Sequence, residues 1–158
     1  MRKTLTILCI FVALGAFVTV LDIIRTKGGS EGAGSSSNKI TSIDIDGFTL
    51  TVEIVDTPES RSRGLSGREG LADDAGMLFV FNEAGIFGFW MKDMLFSIDM
   101  AWLNDDFCIV YLARNVSPET YPTVFAPSVP ARYVIEAKAG FFGSHNLKKG
   151  SCLEKPLL

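Results

Sequence analysis

Gly76-Met77-Leu78-Phe79-Val80-Phe81, then Gly88-Phe89-Trp90-Met91-Lys92-Asp93-Met94, then Ile98-Asp99-Met100-Ala101-Trp102-Leu103: these three runs decide what the chain can become. The first is apolar at every position after its glycine, as a strand covered on both faces requires. In the second, Phe87, Phe89 and Met91 alternate with Gly88, Trp90 and Lys92, which predicts another strand. The third sets Ile98, Met100 and Trp102 on one face and Asp99, Ala101 and Leu103 on the other. Both tryptophans of the chain lie here, and so do Lys92 and Asp99, two charges in apolar surroundings that need a partner to be tolerated there.

Working outward, Ile40 to Val55 alternates around Asp46-Gly47 and predicts a hairpin with one buried face. Asp56-Thr57-Pro58-Glu59 opens a short helix, with a capping oxygen, a proline in the first turn and an acid beside it, and Gly64 ends it. Asn82 to Gly85 reads as a turn, and Asn104-Asp105-Asp106 as a hairpin loop into a strand over Phe107 to Leu112. Asn115 to Pro130 carries Pro118, Pro122, Pro127 and Pro130, which exclude a helix or a central strand. Tyr121, Val124 and Phe125 give that loop something to pack with, so it is expected to fold over the body. Arg132 to Lys138 predicts a strand, Gly140 to Asn146 a short helix, and Ser151 to Glu154 a last strand after the Lys148-Lys149-Gly150 turn. The pattern is that of a mainly β domain.

At the other end, Leu5 to Ile24 is twenty residues with one charge, Asp22. At about 1.5 Å per residue the run spans roughly the 30 Å of a bilayer core. Residues 1–24 are therefore expected to be an N-terminal transmembrane helix acting as a signal anchor. A cleaved signal peptide, with Arg2 and Lys3 as its basic start and Ala13-Leu14-Gly15 at its cleavage site, is the alternative and would leave the body secreted. Residues 25–38 are Gly- and Ser-rich, a flexible tether. The body, residues 39–158, is then expected to be extracytoplasmic. It holds 11 Lys plus Arg against 16 Asp plus Glu, a net of −5. That balance argues against nucleic acid as a partner, because phosphate binding needs a basic face. Within the body, Cys108 and Cys152 have no metal-ligand spacing; a disulfide and two separate buried thiols are both open readings.

Taken together, Val52-Glu53-Ile54-Val55-Asp56-Thr57-Pro58 with Arg61, Arg63, Gly64, Leu65 and Arg68, the run Gly76 to Phe81, Phe89-Trp90-Met91-Lys92, Asp99, and Ala131-Arg132-Tyr133-Val134-Ile135-Glu136 with Ala139-Gly140-Phe141-Phe142 resemble the domain of unknown function 192 family. The resemblance covers about Leu50 to Leu153. It implies one compact β-barrel or sandwich-like domain with one or two short helices, and it implies no activity. Asp93-Met94 stands where the family tends to have Asn-Thr, Ser97 replaces a usual proline and Ser66 a usual methionine.

The residues that bear chemistry are Arg68, Trp90, Lys92, Asp99, Tyr133 and Glu136. A Lys92 to Asp99 ion pair between neighbouring strands either serves a ligand or satisfies itself and fixes register. His145 is the single histidine and stands near a helix end, where packing or capping suits it better than catalysis. No zinc spacing occurs in the sequence, and no cofactor is expected. The favoured function is a binding module for a small molecule, a glycan or a peptide, with Trp90 exposed beside Arg68 or Lys92 in a concave site. A glycosidase-like hydrolase is the enzymatic alternative, needing Asp99 and Glu136 within about 10 Å across one cleft. A structural accessory of a membrane complex is the third reading.

Overall fold

The computed structural model describes residues 39–45 and 47–158. The expected anchor and tether lie outside the described residues. Among those described, no helix is long and apolar enough to cross a membrane.

The alternating stretch around Gly47 forms the predicted hairpin, β1 (Ile40–Ile45) and β2 (Phe48–Val55), in antiparallel register with Ile45 opposite Phe48. Thr57 then caps α1 (Pro58–Arg63): its Oγ1 accepts from the Ser60 amide at 3.1 Å while the Ser60 hydroxyl oxygen accepts from the Thr57 amide, a reciprocal box. Residues 64–74 lead into β3 (Ala75–Gly85), which lies parallel to β2. A parallel pair cannot be joined by a tight turn, so the intervening chain with α1 must cross over one face of the sheet. β4 (Ile98–Leu103), β5 (Ile109–Val116) and β6 (Ala131–Lys138) complete the set, and α2 (Phe141–Ser144) follows.

The strand order is β1-β2-β3-β6-β4-β5. No ladder joins β1 to β5, so the sheet is not closed, and the expected barrel or sandwich is corrected to a single open six-stranded sheet. Two apolar clusters cover its two faces. On one, Leu50, Val52, Leu78, Ala101 and Ile135 pack against Phe141, Phe142, Leu147 and Leu153 from the C-terminal segment. On the other, Val55, Met77, Phe79, Met100, Trp102 and Val134 pack under Leu65, Met91 and Met94. This two-sided cover is why the strand sequences read as continuously apolar. Gly76 is required by that closeness: a Cβ there would sit 2.9 Å from the Glu136 carbonyl oxygen on the neighbouring strand.

Several boundaries differ from expectation. Asn82 to Gly85 does not turn the chain but prolongs β3, with a shift of register against β6 between Val80 and Gly85. Residues 86–92 do not form a strand. Their one bridge is Phe89 to Phe125, closed by two 2.8 Å backbone hydrogen bonds, and the Phe87 carbonyl is taken by the Trp102 indole Nε1 at 2.9 Å. The partner segment is the proline-rich loop, which lacks the amides a ladder would need, so pairing stops after one residue pair. That loop does fold over the body, as expected. β5 starts at Ile109 because Phe107 takes a left-handed backbone (φ 62°) in the hairpin turn. The last predicted strand is a single bridge between Cys108 and Cys152, and these two cysteines are disulfide-bonded across 44 residues of sequence.

Candidate functional site

The crossover between β2 and β3 creates the site. α1 and the loop after it stand over β3, and the irregular segment 86–90 closes the opposite wall; between them lies a cavity of about 360 Å³. Phe79, Phe87, Phe89, Leu65 and Met94 give it apolar sides, Trp90 stands at its mouth, and Glu136 reaches it from β6. The volume is at the small end of the roughly 300 to 1,000 Å³ typical of small-molecule sites.

Each wall is held by named contacts. Arg61 Nη1 donates to the Val80 carbonyl at 2.9 Å and to the Asp56 carbonyl, and its guanidinium lies 5.0 Å from the Phe81 ring centre, so α1 is pinned to β3. The loop after α1 grips the turn at 92–93: the Ser66 hydroxyl donates to the Lys92 carbonyl at 3.0 Å and the Gly67 amide to the Asp93 carbonyl at 2.8 Å. Phe81 stacks on Phe87 at 3.6 Å between centroids, and Phe89 meets Phe79 and Trp102 edge-on. The two tryptophans therefore divide: Trp102 is fully buried in the core, whereas Trp90 is 55% exposed.

Glu136 is the electrostatic centre of this face. Strand register lines up Glu53, Met77, Glu136 and Met100 across β2, β3, β6 and β4. Flanked by two methionines and only 5% exposed, the Glu136 carboxyl keeps Oε2 without a hydrogen-bond partner among the described residues. Loss of hydration pushes its pKa up to about 8, and the nearby Arg68 guanidinium offsets only part of that. At neutral pH the group is thus mostly a neutral acid, able to donate a hydrogen bond into the cavity. Arg68 is itself committed, its Nη2 donating to both Glu53 oxygens at 3.0 and 2.7 Å.

A pH dependence of stability follows. The unfolded carboxyl ionises near its ordinary value of 4.5, whereas the folded one resists ionisation until about 8. Stability therefore falls as pH rises from the first value to the second and is level outside that window. Between pH 5.5 and 7.5 the expected loss is about 2.5 kcal/mol, and Glu136→Gln is expected to abolish it. Urea unfolding of both proteins at several pH values measures this; parallel curves for the two would contradict it.

The other expected site residues lie elsewhere. Asp99 is completely buried on the opposite face of the sheet, opposite Ala137, and its two oxygens accept from the Asn115 amide at 2.7 Å and the Phe142 amide at 3.1 Å. It does not pair with Lys92, which is exposed in the turn after Met91 and in no ion pair among the described residues. Asp99 and Glu136 project from opposite faces, so they share no cleft. Tyr133 is buried with Phe107 on the Asp99 side, beneath Lys155. His145 stacks on Phe48 and Phe141, and its Nδ1 is 2.9 Å from the Phe141 carbonyl oxygen. No cluster with the makings of a metal site occurs among the described residues.

Of the six candidates, then, the cavity brings together Trp90 and Glu136, with Arg68 beside them. Arg61, Arg63 and Glu53, which also belong to this face, are not among the six candidates. Their signal was the crossover, which puts α1 and its loop over the face that Glu53 and Glu136 share.

The same elements appear in known proteins. The family model for DUF192, described as uncharacterized ACR, matches residues 41–155, almost the whole body. The chain belongs to the DUF192 family. No curated protein matches this DUF192 chain. Among solved structures, it is similar to a protein of Sinorhizobium meliloti 1021 described as a candidate transcription regulator. The two are 29% identical with a TM-score of 0.70, over 77% of this chain and 97% of the other. It also shares its fold with a protein of unknown function from Novosphingobium aromaticivorans DSM 12444, at 23% identity and TM-score 0.68, over 81% of this chain and 100% of the other. This chain thus shares its fold with both of those solved structures.

Proposed function

We propose that this DUF192 domain is a membrane-tethered, extracytoplasmic binding module that takes a small molecule into the cavity between α1, β3 and residues 86–90. The observation that carries the reading is Trp90, an aromatic ring left 55% exposed at the mouth of a concave apolar site whose wall holds Glu136, with Oε2 unpartnered among the described residues. Apolar walls with a few placed polar groups are what small-molecule sites are made of. The length of the Leu5 to Ile24 run supports the anchor, and the Cys108–Cys152 bond supports an oxidising compartment for the body. The net charge of the body, −5, speaks against carrying over a role on nucleic acid.

A thermal-shift screen of the full-length chain against a metabolite library tests the binding reading. Trp90→Ala is expected to leave the melting temperature of the free protein nearly unchanged, since exposed positions usually change stability by no more than about 0.5 kcal/mol. The same substitution is expected to remove the stabilisation given by the compounds that bind. A library without a single binder, or binders indifferent to Trp90, would remove the case for the cavity. The anchor is tested separately by N-terminal sequencing of the mature protein, which is expected to retain Leu5 to Ile24; a mature chain starting just after Gly15 would replace the anchor by a cleaved signal.

A further inference from the structure

We infer that the cavity takes an apolar carboxylate with a hydrogen-bond-accepting oxygen at its far end, the carboxylate resting on Arg63 at the rim and the second oxygen accepting from Glu136. This deepens, and rests on, the binding reading above.

The argument is one of charge and hydrogen-bond supply. Two arginines line the cavity, and they are not equivalent. Arg61 is spent on two backbone carbonyls and the Phe81 ring. Arg63 lines the cavity from the end of α1, is exposed, and makes no side-chain hydrogen bond or ion pair among the described residues. It is the cation with donors to spare, and a guanidinium recognises a carboxylate best through paired donors. At the other end, Glu136 lines the cavity and is nine-tenths buried, with its enclosed Oε2 without a hydrogen-bond partner among the described residues. Its neighbours on β3 and β4 in that row are Met77 and Met100; the charged groups on its face are Glu53, bound to Arg68, and Arg61 and Arg63 of α1. With its proton held to about pH 8, Glu136 is a donor at neutral pH, and it adds no negative charge to offset the two arginines. A cationic ligand would meet two guanidinium groups and no ionised carboxylate of the cavity. An anion at the rim, rings or branched carbons along Phe79, Phe87 and Phe89, and a carbonyl oxygen inside would give Arg63 and the Glu136 carboxyl partners within an otherwise apolar space.

Three probes separate the possibilities: 4-acetylbenzoate, which has both groups; 4-isopropylbenzoate, which lacks the far oxygen; and 4-acetylbenzylamine, which reverses the charge. Binding to the full-length chain is read from tryptophan fluorescence, to which exposed Trp90 responds. At pH 6.5, 4-acetylbenzoate is expected to bind at least about tenfold more tightly than either relative, the worth of one good hydrogen bond or ion pair in a partly desolvated site. Its affinity is expected to fall at least about tenfold by pH 9.5 as Glu136 loses its proton, while that of 4-isopropylbenzoate, which loses only to the added charge, falls by less. Arg63→Ala is expected to weaken both benzoates and not the amine, and Glu136→Gln to erase the pH step. The inference is overturned if the amine binds as well as the ketone acid, if the pH step is absent, or if none of the three binds. In that last case the cavity reading still stands or falls on the wider library and on Trp90→Ala, so the two failures are told apart.

Discussion

Replacing Asp99 with alanine is expected to lower the free energy of unfolding by about 4 kcal/mol, a large share of a small domain's margin of roughly 5 to 15 kcal/mol. Asp99 has no exposed surface, and its two oxygens hold the amide of Asn115 and the amide of Phe142. The first of these residues has a left-handed backbone (φ 51°) near the end of β5, and the second opens the first turn of α2. One side chain on β4 thus fixes an edge strand on one side and the helix that covers the sheet on the other. Alanine leaves two donors without an acceptor, each costing about 1 to 3 kcal/mol, and removes a charge-assisted interaction at both. Lys92→Ala is the informative control. If Asp99 served Lys92, the two substitutions would cost similar amounts; with Lys92 exposed and unpaired among the described residues, its removal is expected to change stability by no more than about 0.5 kcal/mol. Equal losses in denaturant titrations would refute the assignment of Asp99 to backbone support.

Reduction of the Cys108–Cys152 bond is expected to cost about 4 kcal/mol, because a cross-link closing a loop of this size removes that much entropy from the unfolded chain. The loop spans 44 residues and contains β5, the proline-rich segment, β6 and α2. The bond also staples a segment joined to the β5 side by few backbone hydrogen bonds: three, bridge included, link Phe107 and Ile109 to Gly150, Ser151 and Leu153. Cys152→Ser should therefore behave like the reduced wild type. Unfolding of the full-length chain with and without dithiothreitol measures the effect; a wild type indifferent to the reductant would show that the bond contributes nothing. The effect would also make the domain dependent on an oxidising compartment, in keeping with the export proposed for it.

How far the sequence could be read depended on the kind of order involved. Local order was visible. The alternation around Asp46-Gly47 is the β1–β2 hairpin, Thr57-Pro58 is the start of α1, and Ile98 to Leu103 is β4 to the residue. Parity was visible too, and its consequences were stronger than those first drawn: Tyr133 and Glu136 are three apart on one strand, so they project to opposite faces and cannot share a site. What could not be read was adjacency. Alternation says which way Asp99 points within its segment, not that β4 pairs with β6, and that pairing puts Asp99 against Ala137 rather than near Lys92. The segment 86–92 misled for a related reason. Its apolar alternation is that of a strand, but its neighbour is a proline-rich loop that can supply only one bridge. The site residues found, Trp90 and Glu136, stood out by type alone; Arg61 and Arg63 did not, because a charged helix face looks the same over solvent and over a cavity.

The crossover that joins β2 to β3 has a consequence for how such a domain can change. The sheet needs this connection only to be long enough to return the chain in parallel, and little of its sequence is spent on the core beyond Leu65 and Leu71. Yet the connection supplies one whole side of the cavity, from Pro58 to Ser66. One wall of the cavity is thus built from chain that lies outside the strands. Substitutions at the exposed lining positions Ser62 and Arg63 can alter the rim at little cost to the scaffold, whereas Arg61 and Leu65, which hold α1 and its loop to the sheet, and the floor, with Glu136 in register between two methionines, vary only with the sheet itself. A domain built this way can change the rim of its cavity while keeping one recognisable body.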